Sequence, residues 1–191
     1  MDEAAERELE RVVNRAWIGG AVRHDATITL VEYDPEWPRL FRREAERIRG
    51  ALPERVVVAL EHVGSTSVPG LAAKPIIDIL LVVPDSADEA AYVPALESVG
   101  YRLVIREPHW HEHRMFKGPD TDVNLHVHTA GDAEAERMPA FRDRLRADAA
   151  DRVLYERTKR ELAARRWSYV QGYAEAKSGV VERIMAHARR A

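Results

Sequence analysis

Hydrophobic residues in the first quarter of the chain recur at two different intervals. Near the N-terminus they follow helical spacing and predict an amphipathic helix that ends at the glycines at positions 19–20. The apolar positions of this helix are Leu9, Val12, Val13, Ala16 and Trp17. Residues 27–33 alternate as a strand does, and Asp34 and Pro35 then supply an N-cap and an N1 proline for a second helix. Its apolar residues, which we expect in the core, are Trp37, Leu40, Phe41, Ala45 and Ile48.

Two apolar segments in the middle of the chain predict buried strands. Residues 56–63 are mostly β-branched and apolar, and they lead into residues 64–70, a loop rich in residues that break regular structure. Residues 76–83 predict a strand that is buried on both faces apart from the carboxylate of Asp78. The first strand therefore delivers a polar loop, and the second carries one acid that needs a partner.

The segments that follow combine a helix with two further strands. Ser86 and Glu89 form a capping box for a helix that ends at Gly100, and residues 101–107 predict a strand. A histidine-rich link leads to residues 123–129, whose alternation predicts a strand with one polar face. That polar face carries Asn124, His126 and His128.

Only helical spacing remains from residue 132 onward. The apolar positions of three successive patterns are Met138, Phe141 and Leu145, then Leu154 and Leu162, then Val170, Ala174, Val181 and Met185. Strands with helices in the first part and helices alone afterwards indicate an α+β fold. We expect a single domain over residues 1–191, with an N-terminal helical extension at 1–26 and C-terminal helices at 132–191.

Composition narrows the possible partners and the cellular location. The 191 residues are 46% hydrophobic and 32% charged, which is ordinary for a soluble globular protein. With 29 basic and 32 acidic residues the net charge is -3, so we expect neither nucleic acid nor a membrane as a partner. The absence of cysteine excludes disulfides, thiolate zinc sites and cysteine nucleophiles, and together with the lack of a long apolar run it suits the cytoplasm.

The loop at residues 64–70 and Asp78 are the first candidates for chemistry. Gly64 lets the backbone approach a ligand, and the amides and hydroxyls of Ser65 and Thr66 can donate hydrogen bonds to a phosphate. The same residue types also suit a purely structural turn. A buried carboxylate such as Asp78 requires a cation, a metal ion or several donors, and a salt bridge to a buried arginine is the structural alternative.

Two stretches of this chain resemble the hallmark of the GrpB family. They are EHVGSTSVPGL at residues 61–71 and AKPIIDI at residues 73–79. Twelve residues separate Ser65 from Asp78, a spacing similar to that of the nucleotidyltransferase superfamily, where Gly-Ser ends one strand and the next strand bears magnesium ligands. The resemblance covers nearly the whole chain from Val31 onward. It includes residues 124–127 and 141–143, Tyr155, Lys159, and Tyr173 through Lys177.

The resemblance implies a nucleotidyltransferase-like fold: a mixed β-sheet with helices on one face and a C-terminal helical segment packed on it. It also implies a groove for a nucleotide or another small anionic molecule. Asp78 and His126 are the catalytic candidates, and Asp78 is the expected ligand of a divalent cation, magnesium or manganese. The candidates for phosphate or substrate binding are His62, Gly64, Ser65, Thr66, Lys74, Arg114, Asn124, Arg142, Lys159, Tyr173 and Lys177.

The sequence also departs from active nucleotidyltransferases. Their first metal-binding strand carries two carboxylates one residue apart, whereas Leu80 stands at the second position here. Three functions therefore stay open: a metal-dependent nucleotidyltransferase, a catalytically depleted binding or sensing module, and a different transfer or ligation reaction that uses an acid or base such as His126.

Two further patterns could contribute to a site. Five histidines lie at His109, His111, His113, His126 and His128. Their spacing could hold a transition metal, but the sequence shows no convergence of three or four ligands, and the alternative is exposed or hydrogen-bonded imidazoles. Tyr173 and Lys177 share a helix face, where they could meet a ligand together or simply pack at the surface. We expect the C-terminal helices to pack on the sheet and complete the groove.

Overall fold

The computed structural model describes residues 3–20 and 22–188 and contains one five-stranded sheet. Its strands are β1 (Ala59–Val63), β2 (Ile77–Val83), β3 (Arg102–Glu107), β4 (His113–Lys117) and β5 (Val123–Thr129), in the spatial order β1-β2-β5-β4-β3. The central pair β2 and β5 is parallel, and the other neighbouring pairs are antiparallel. The sheet is therefore mixed, as the resemblance implies.

Helices cover both faces of this sheet. They are α1 (Glu3–Ala16), α2 (Trp37–Ala51), α3 (Val93–Ser98), α4 (Ala133–Ala147), α5 (Ala149–Ala163), α6 (Val170–Ala176) and α7 (Ser178–Ala188). The first face of the sheet packs against α2 and α3 through a core that includes Ile48, Ile79 and Leu96. On the second face Leu80 and Val82 pack against Ala135 of α4, and α5 and α7 contact α4 in turn. The α+β class is confirmed, with the C-terminal helices on the face opposite α2 and α3.

The alternation of β2 decides which side chains reach the second face. Asp78 shares that face with Leu80, and the parallel register places Asp78 beside Asn124 and Leu80 beside His126. The antiparallel register of β1 brings its last residue, Val63, beside Asp78. The acid therefore lies where β1 ends and where β2 and β5 begin.

Residues 27–33 do not form the predicted strand. Val31 makes one isolated bridge with Ala73, and Ala26 makes another with Trp167. The alternation has a different cause, because Ile28 is buried against Leu162 and other residues of the C-terminal helices. Packing against helices thus produces the same period as pairing in a sheet.

Three other predicted elements differ in detail. Ser86 does not cap a helix, because its hydroxyl donates to the carbonyl of Glu112 and only a short turn forms at Glu89–Ala91. The histidine-rich link contains β4, a strand that the sequence analysis does not predict. The last helical pattern forms two helices that meet at Lys177. The expectation that its apolar positions, beginning with Val170, pack on the sheet is wrong, because Val170 is exposed and the buried residue of α7 is Ile184.

Candidate functional site

The loop after β1 approaches Asp78 so closely that only glycine fits at its start. Gly64 has a φ of +69°, and a Cβ atom there would overlap the Asp78 carboxylate. The next residues form a 3-10 turn at Ser65–Ser67, in which the Ser67 hydroxyl donates to the Gly64 carbonyl at 2.6 Å. The Thr66 hydroxyl donates to the Ile76 carbonyl at 3.1 Å. These bonds fix the loop against both strands.

Asp78 is held as a carboxylate on the second face of the sheet. Its Oδ1 accepts a hydrogen bond from the Asn124 amide at 2.9 Å and lies 3.7 Å from Nε2 of His126. Burial alone would raise the pKa of Asp78, but His126, Asn124 and the charge of Lys74 outweigh it and hold that pKa below its ordinary value. About a quarter of the side chain, 27%, is exposed, so the carboxylate remains accessible.

Lys159 of α5 reaches the same loop from the other side. Its side chain is buried, and its ammonium donates to the Ser65 hydroxyl at 3.1 Å and to the Ala72 carbonyl. It also lies 5.0 Å from the centre of the Tyr155 ring, within the range of a cation–π contact. Burial, together with repulsion from Lys177, lowers the pKa of Lys159 to about 7.

Two further lysines share the ring of Tyr173. The ammonium of Lys177 lies 4.6 Å from the ring centre and that of Lys74 lies 5.7 Å from it. Burial, together with repulsion from Lys177, lowers the pKa of Lys74 to about 8, and burial also lowers the pKa of Lys177. Both lysines stay partly exposed to solvent, whereas the Tyr173 hydroxyl is buried and has no hydrogen-bond partner among the described residues.

We call this cluster the central site. It comprises Gly64, Ser65, Lys74, Asp78, Asn124, His126, Tyr155, Lys159, Tyr173 and Lys177. Lys74, Lys159 and Lys177 each interact electrostatically with the carboxylate of Asp78, so positive charge exceeds negative charge within the cluster when the lysines are protonated. Such an arrangement is suited to a ligand that carries negative charge.

The other expected ligand residues have structural partners. His62 points to the opposite face of the sheet, where it stacks on Phe41 at 4.8 Å and its Nε2 lies 3.1 Å from Oγ1 of Thr66. Burial lowers the pKa of His62 to about 4, so the ring is neutral. Thr66 is itself buried and donates inward. These two residues support the loop and do not face the central site.

Two expected arginine ligands are also engaged elsewhere. Arg114 lies on the first face of the sheet, where it is buried and pairs with Glu89 at 2.6 Å. Arg142 of α4 pairs with Glu61 at 2.7 Å and donates to the His62 carbonyl at 3.0 Å. Arg114 is therefore outside the central site, and Arg142 ties α4 to the end of β1.

The donor set at Asp78 does not fit the expected divalent cation. Leu80 is fully buried where a second acid would stand, and Asn124 turns an N–H donor towards the carboxylate. Within residues 3–20 and 22–188 no three histidine or acidic side chains are grouped to hold a metal ion. The neighbouring ammonium groups of Lys74 and Lys177 would also repel a cation.

Three residues around the central site were not predicted from the sequence as site residues: Tyr155, His113 and Glu107. The Tyr155 ring lies under Lys159, four residues along the same helix, and this spacing was a usable signal. Nδ1 of His126 lies 3.0 Å from Nε2 of His113, whose Nδ1 lies 2.7 Å from Oε2 of Glu107. This second arrangement depends on the order of the strands, which the sequence does not display.

The sheet, its two helical layers and this cluster define an α+β protein with a cationic site beside a Gly-Ser loop. Residues 27–187 match the family model described as GrpB protein. The chain therefore belongs to the GrpB family.

Known relatives agree with this assignment. The chain is 60% identical to a UPF0157 protein of Halalkalibacterium halodurans, over 96% of this chain and 91% of that relative. The crystal structure of the conserved protein GrpB from Enterococcus faecalis matches 81% of this chain and 98% of its own, with 26% identity and a TM-score of 0.64. A protein of Mycolicibacterium paratuberculosis named dephospho-CoA kinase is 31% identical over 80% of this chain but 44% of its own length.

None of the helices in the described parts of the chain is long and apolar enough to cross a membrane.

Proposed function

We propose that the central site binds a small phosphate-bearing molecule, with a nucleotide as the leading class. The observation that carries this proposal is that Lys159 donates to Ser65 of the Gly-Ser loop, Lys74 and Lys177 share the ring of Tyr173, and all three interact electrostatically with Asp78. Ammonium groups at partly buried positions are strong partners for phosphate oxygens, because water screens the attraction less there.

The three lysines have different parts in this proposal. Lys74 and Lys177 are partly exposed, lie beside the same Tyr173 ring and contact the phosphate directly. Lys159 is buried and holds Ser65, so it orients the hydroxyl that donates to the ligand. The Tyr173 hydroxyl, a further buried group, has no partner within the described parts of the chain and is available to donate to a phosphate oxygen.

The type of reaction is a second question. Metal-dependent nucleotidyl transfer uses carboxylates on neighbouring strands, and Leu80 and Asn124 occupy those positions here. The observation that favours a metal-independent transfer or ligation is the pairing of His126 with Asp78, 3.7 Å apart, beside the Gly-Ser loop. The relative named dephospho-CoA kinase supports a phosphate-bearing ligand only as a chemical class.

Calorimetric titration with nucleoside mono-, di- and triphosphates, with magnesium or with a chelator, tests the binding proposal. We expect binding in the chelator, and we expect Lys177→Ala to weaken it roughly tenfold, or about 1.4 kcal/mol, by removing a charged contact. Arg157→Ala is the matched control, because it removes an exposed positive charge from α5, the helix of Lys159. Failure of every nucleotide and of pyrophosphate to bind would refute the proposal.

The same titration distinguishes metal-independent phosphate binding from the metal-dependent alternative. Without a metal, Asp78→Asn removes a negative charge from the central site and should leave phosphate binding unchanged or stronger. If binding instead required magnesium or manganese and Asp78→Asn abolished it, Asp78 would be a metal ligand and the metal-dependent transferase would be the better reading.

A further inference from the structure

Four side chains form a polar row across the second face of the sheet. They come from the adjacent strands β3, β4, β5 and β2, and they are Glu107, His113, His126 and Asp78. Oε2 of Glu107 lies 2.7 Å from Nδ1 of His113, and Nε2 of His113 lies 3.0 Å from Nδ1 of His126. The other ring nitrogen of His126, Nε2, lies 3.7 Å from Oδ1 of Asp78. The row thus connects the far strand β3 to the central site.

The chemistry of its first member gives the row a direction. A carboxylate only accepts hydrogen bonds, so Glu107 requires a proton on Nδ1 of His113. Burial lowers the pKa of His113 and keeps its ring neutral, so its Nε2 carries a lone pair. That lone pair accepts a hydrogen bond from Nδ1–H of His126, which leaves Nε2 as the nitrogen that exchanges a proton with the central site. When it is protonated, Nε2–H faces the carboxylate of Asp78, and when it is unprotonated, it can accept a proton from a ligand.

Neighbouring rings hold His113 in the orientation that the row requires. His128 stacks on His113 with ring centres 4.9 Å apart, and Trp110 meets it edge-on at 5.5 Å. Burial lowers the pKa of His128 to about 4, so this stacked ring is neutral and adds no charge beside His113. The rings of His113 and His126 are themselves nearly coplanar, with 19° between their planes.

We propose that Glu107 and His113 are positioning residues that fix the tautomer of His126, so that its Nε2 serves as the general base of the central site. The proton of an acceptor hydroxyl moves to Nε2, and the oxygen uses the electron pair of that O–H bond to form a bond to phosphorus of the bound molecule. The bond from this phosphorus to its leaving group breaks, and the leaving group, pyrophosphate in the case of a nucleoside triphosphate, departs with that electron pair. The imidazolium that forms keeps its Nδ1–H bond to His113 and faces the carboxylate of Asp78. This catalytic role rests on the proposed function, whereas the tautomer of His126 does not.

Long-range ¹H–¹⁵N NMR of the full-length protein without ligand, at a pH where the imidazoles are neutral, tests the tautomers. We expect Nδ1 to be protonated and Nε2 to be bare in both His113 and His126, with assignment by His113→Asn and His126→Asn. Glu107→Leu removes the acceptor and should convert both rings to mixtures of tautomers. His128→Phe keeps a stacked ring without joining the row, so it should leave the tautomers of His113 and His126 unchanged.

The outcomes distinguish this inference from the proposed function. A wild-type His126 protonated on Nε2, or tautomers that do not respond to Glu107→Leu, would overturn the inference even if nucleotides bind. In contrast, failure of nucleotides to bind would refute the proposed function and leave the measured tautomers intact. Unchanged nucleotide affinity in Glu107→Leu is the expected companion result, because Glu107 acts on His126 and not on the lysines.

Discussion

At the scale of single residues, lysine and arginine are used differently in this chain. Only four of its 29 basic residues are lysine, and three of these, Lys74, Lys159 and Lys177, lie in the central site. Arginine stays protonated at any ordinary pH, whereas a buried lysine can lose its proton near neutrality. The central site therefore has a charge that can adjust to its ligand, which a set of arginines would not provide.

This difference predicts that anion binding depends on pH. The pKa values of Lys159 and Lys74 are about 7 and 8 without ligand, and a bound phosphate would raise both. Below these values the ammonium groups are already charged; as the pH rises through them, binding must take up protons and should weaken. Calorimetry in two buffers with different ionisation enthalpies would measure the proton uptake. An affinity that does not change across this range would contradict the prediction.

At the scale of elements, the loop between β1 and β2 depends on one glycine. Gly64 and Gly70 both have positive φ, +69° and +76°, but only at Gly64 would a Cβ atom meet another residue, Asp78. Alanine substitutions at the two glycines therefore separate the free-energy cost of backbone strain from that of a steric clash. At Gly64 the added Cβ atom would clash with the carboxylate of Asp78, which belongs to the central site.

We predict that Gly64→Ala destabilises the protein by about 2–4 kcal/mol more than a backbone effect alone, because Asp78 must move. Gly70→Ala, the matched control, should cost about 1 kcal/mol, since the space around it is open. Chemical denaturation would compare the free energies of unfolding. Equal losses in the two variants would mean that the loop moves away from Asp78 easily.

The elements also show what the sequence could predict. β5 forms at the predicted residues 123–129 and β2 within one residue of its predicted start, because strict alternation in one and continuous burial in the other leave few alternatives. β4 was missed because it has five residues and its polar side chains, such as Arg114, are buried by partners from distant segments. The position of His62 was not readable from the sequence, because it follows from the register that pairs His62 with Ile79 and Val63 with Asp78.

At the scale of the whole molecule, the central site joins parts of the chain that are far apart in sequence. Ser65 and Lys159 are in contact although 94 positions separate them. The Gly-Ser loop and Asp78 could be predicted because one continuous stretch of sequence contains both. The row from Glu107 to Asp78 could not be predicted, because it requires the strand order β3-β4-β5-β2.

The distribution of charge over the molecule leads to a prediction about nucleic acid. The net charge is -3, and the arginines of α4 and α5 are largely paired with acids of these two helices and of the residue that joins them. Little free positive charge is therefore offered to a phosphate backbone, and we expect weak or no binding of a generic duplex. Fluorescence anisotropy at several salt concentrations would measure it. Tight binding with a steep salt dependence would contradict the prediction.

The scarcity of lysine has a practical consequence for amine chemistry. Apart from the α-amino group, the chain has four primary amines, and three of them belong to the central site. An acylating reagent reacts with an accessible neutral amine, and Lys74, which is partly exposed and has a pKa of about 8, supplies this form near neutral pH, whereas Lys159 is buried and protected. The arginine-rich surface would remain unmodified. Mass spectrometry of the acylated native protein would therefore report on this one region, and a ligand that covers it would appear as lost label without any engineered probe.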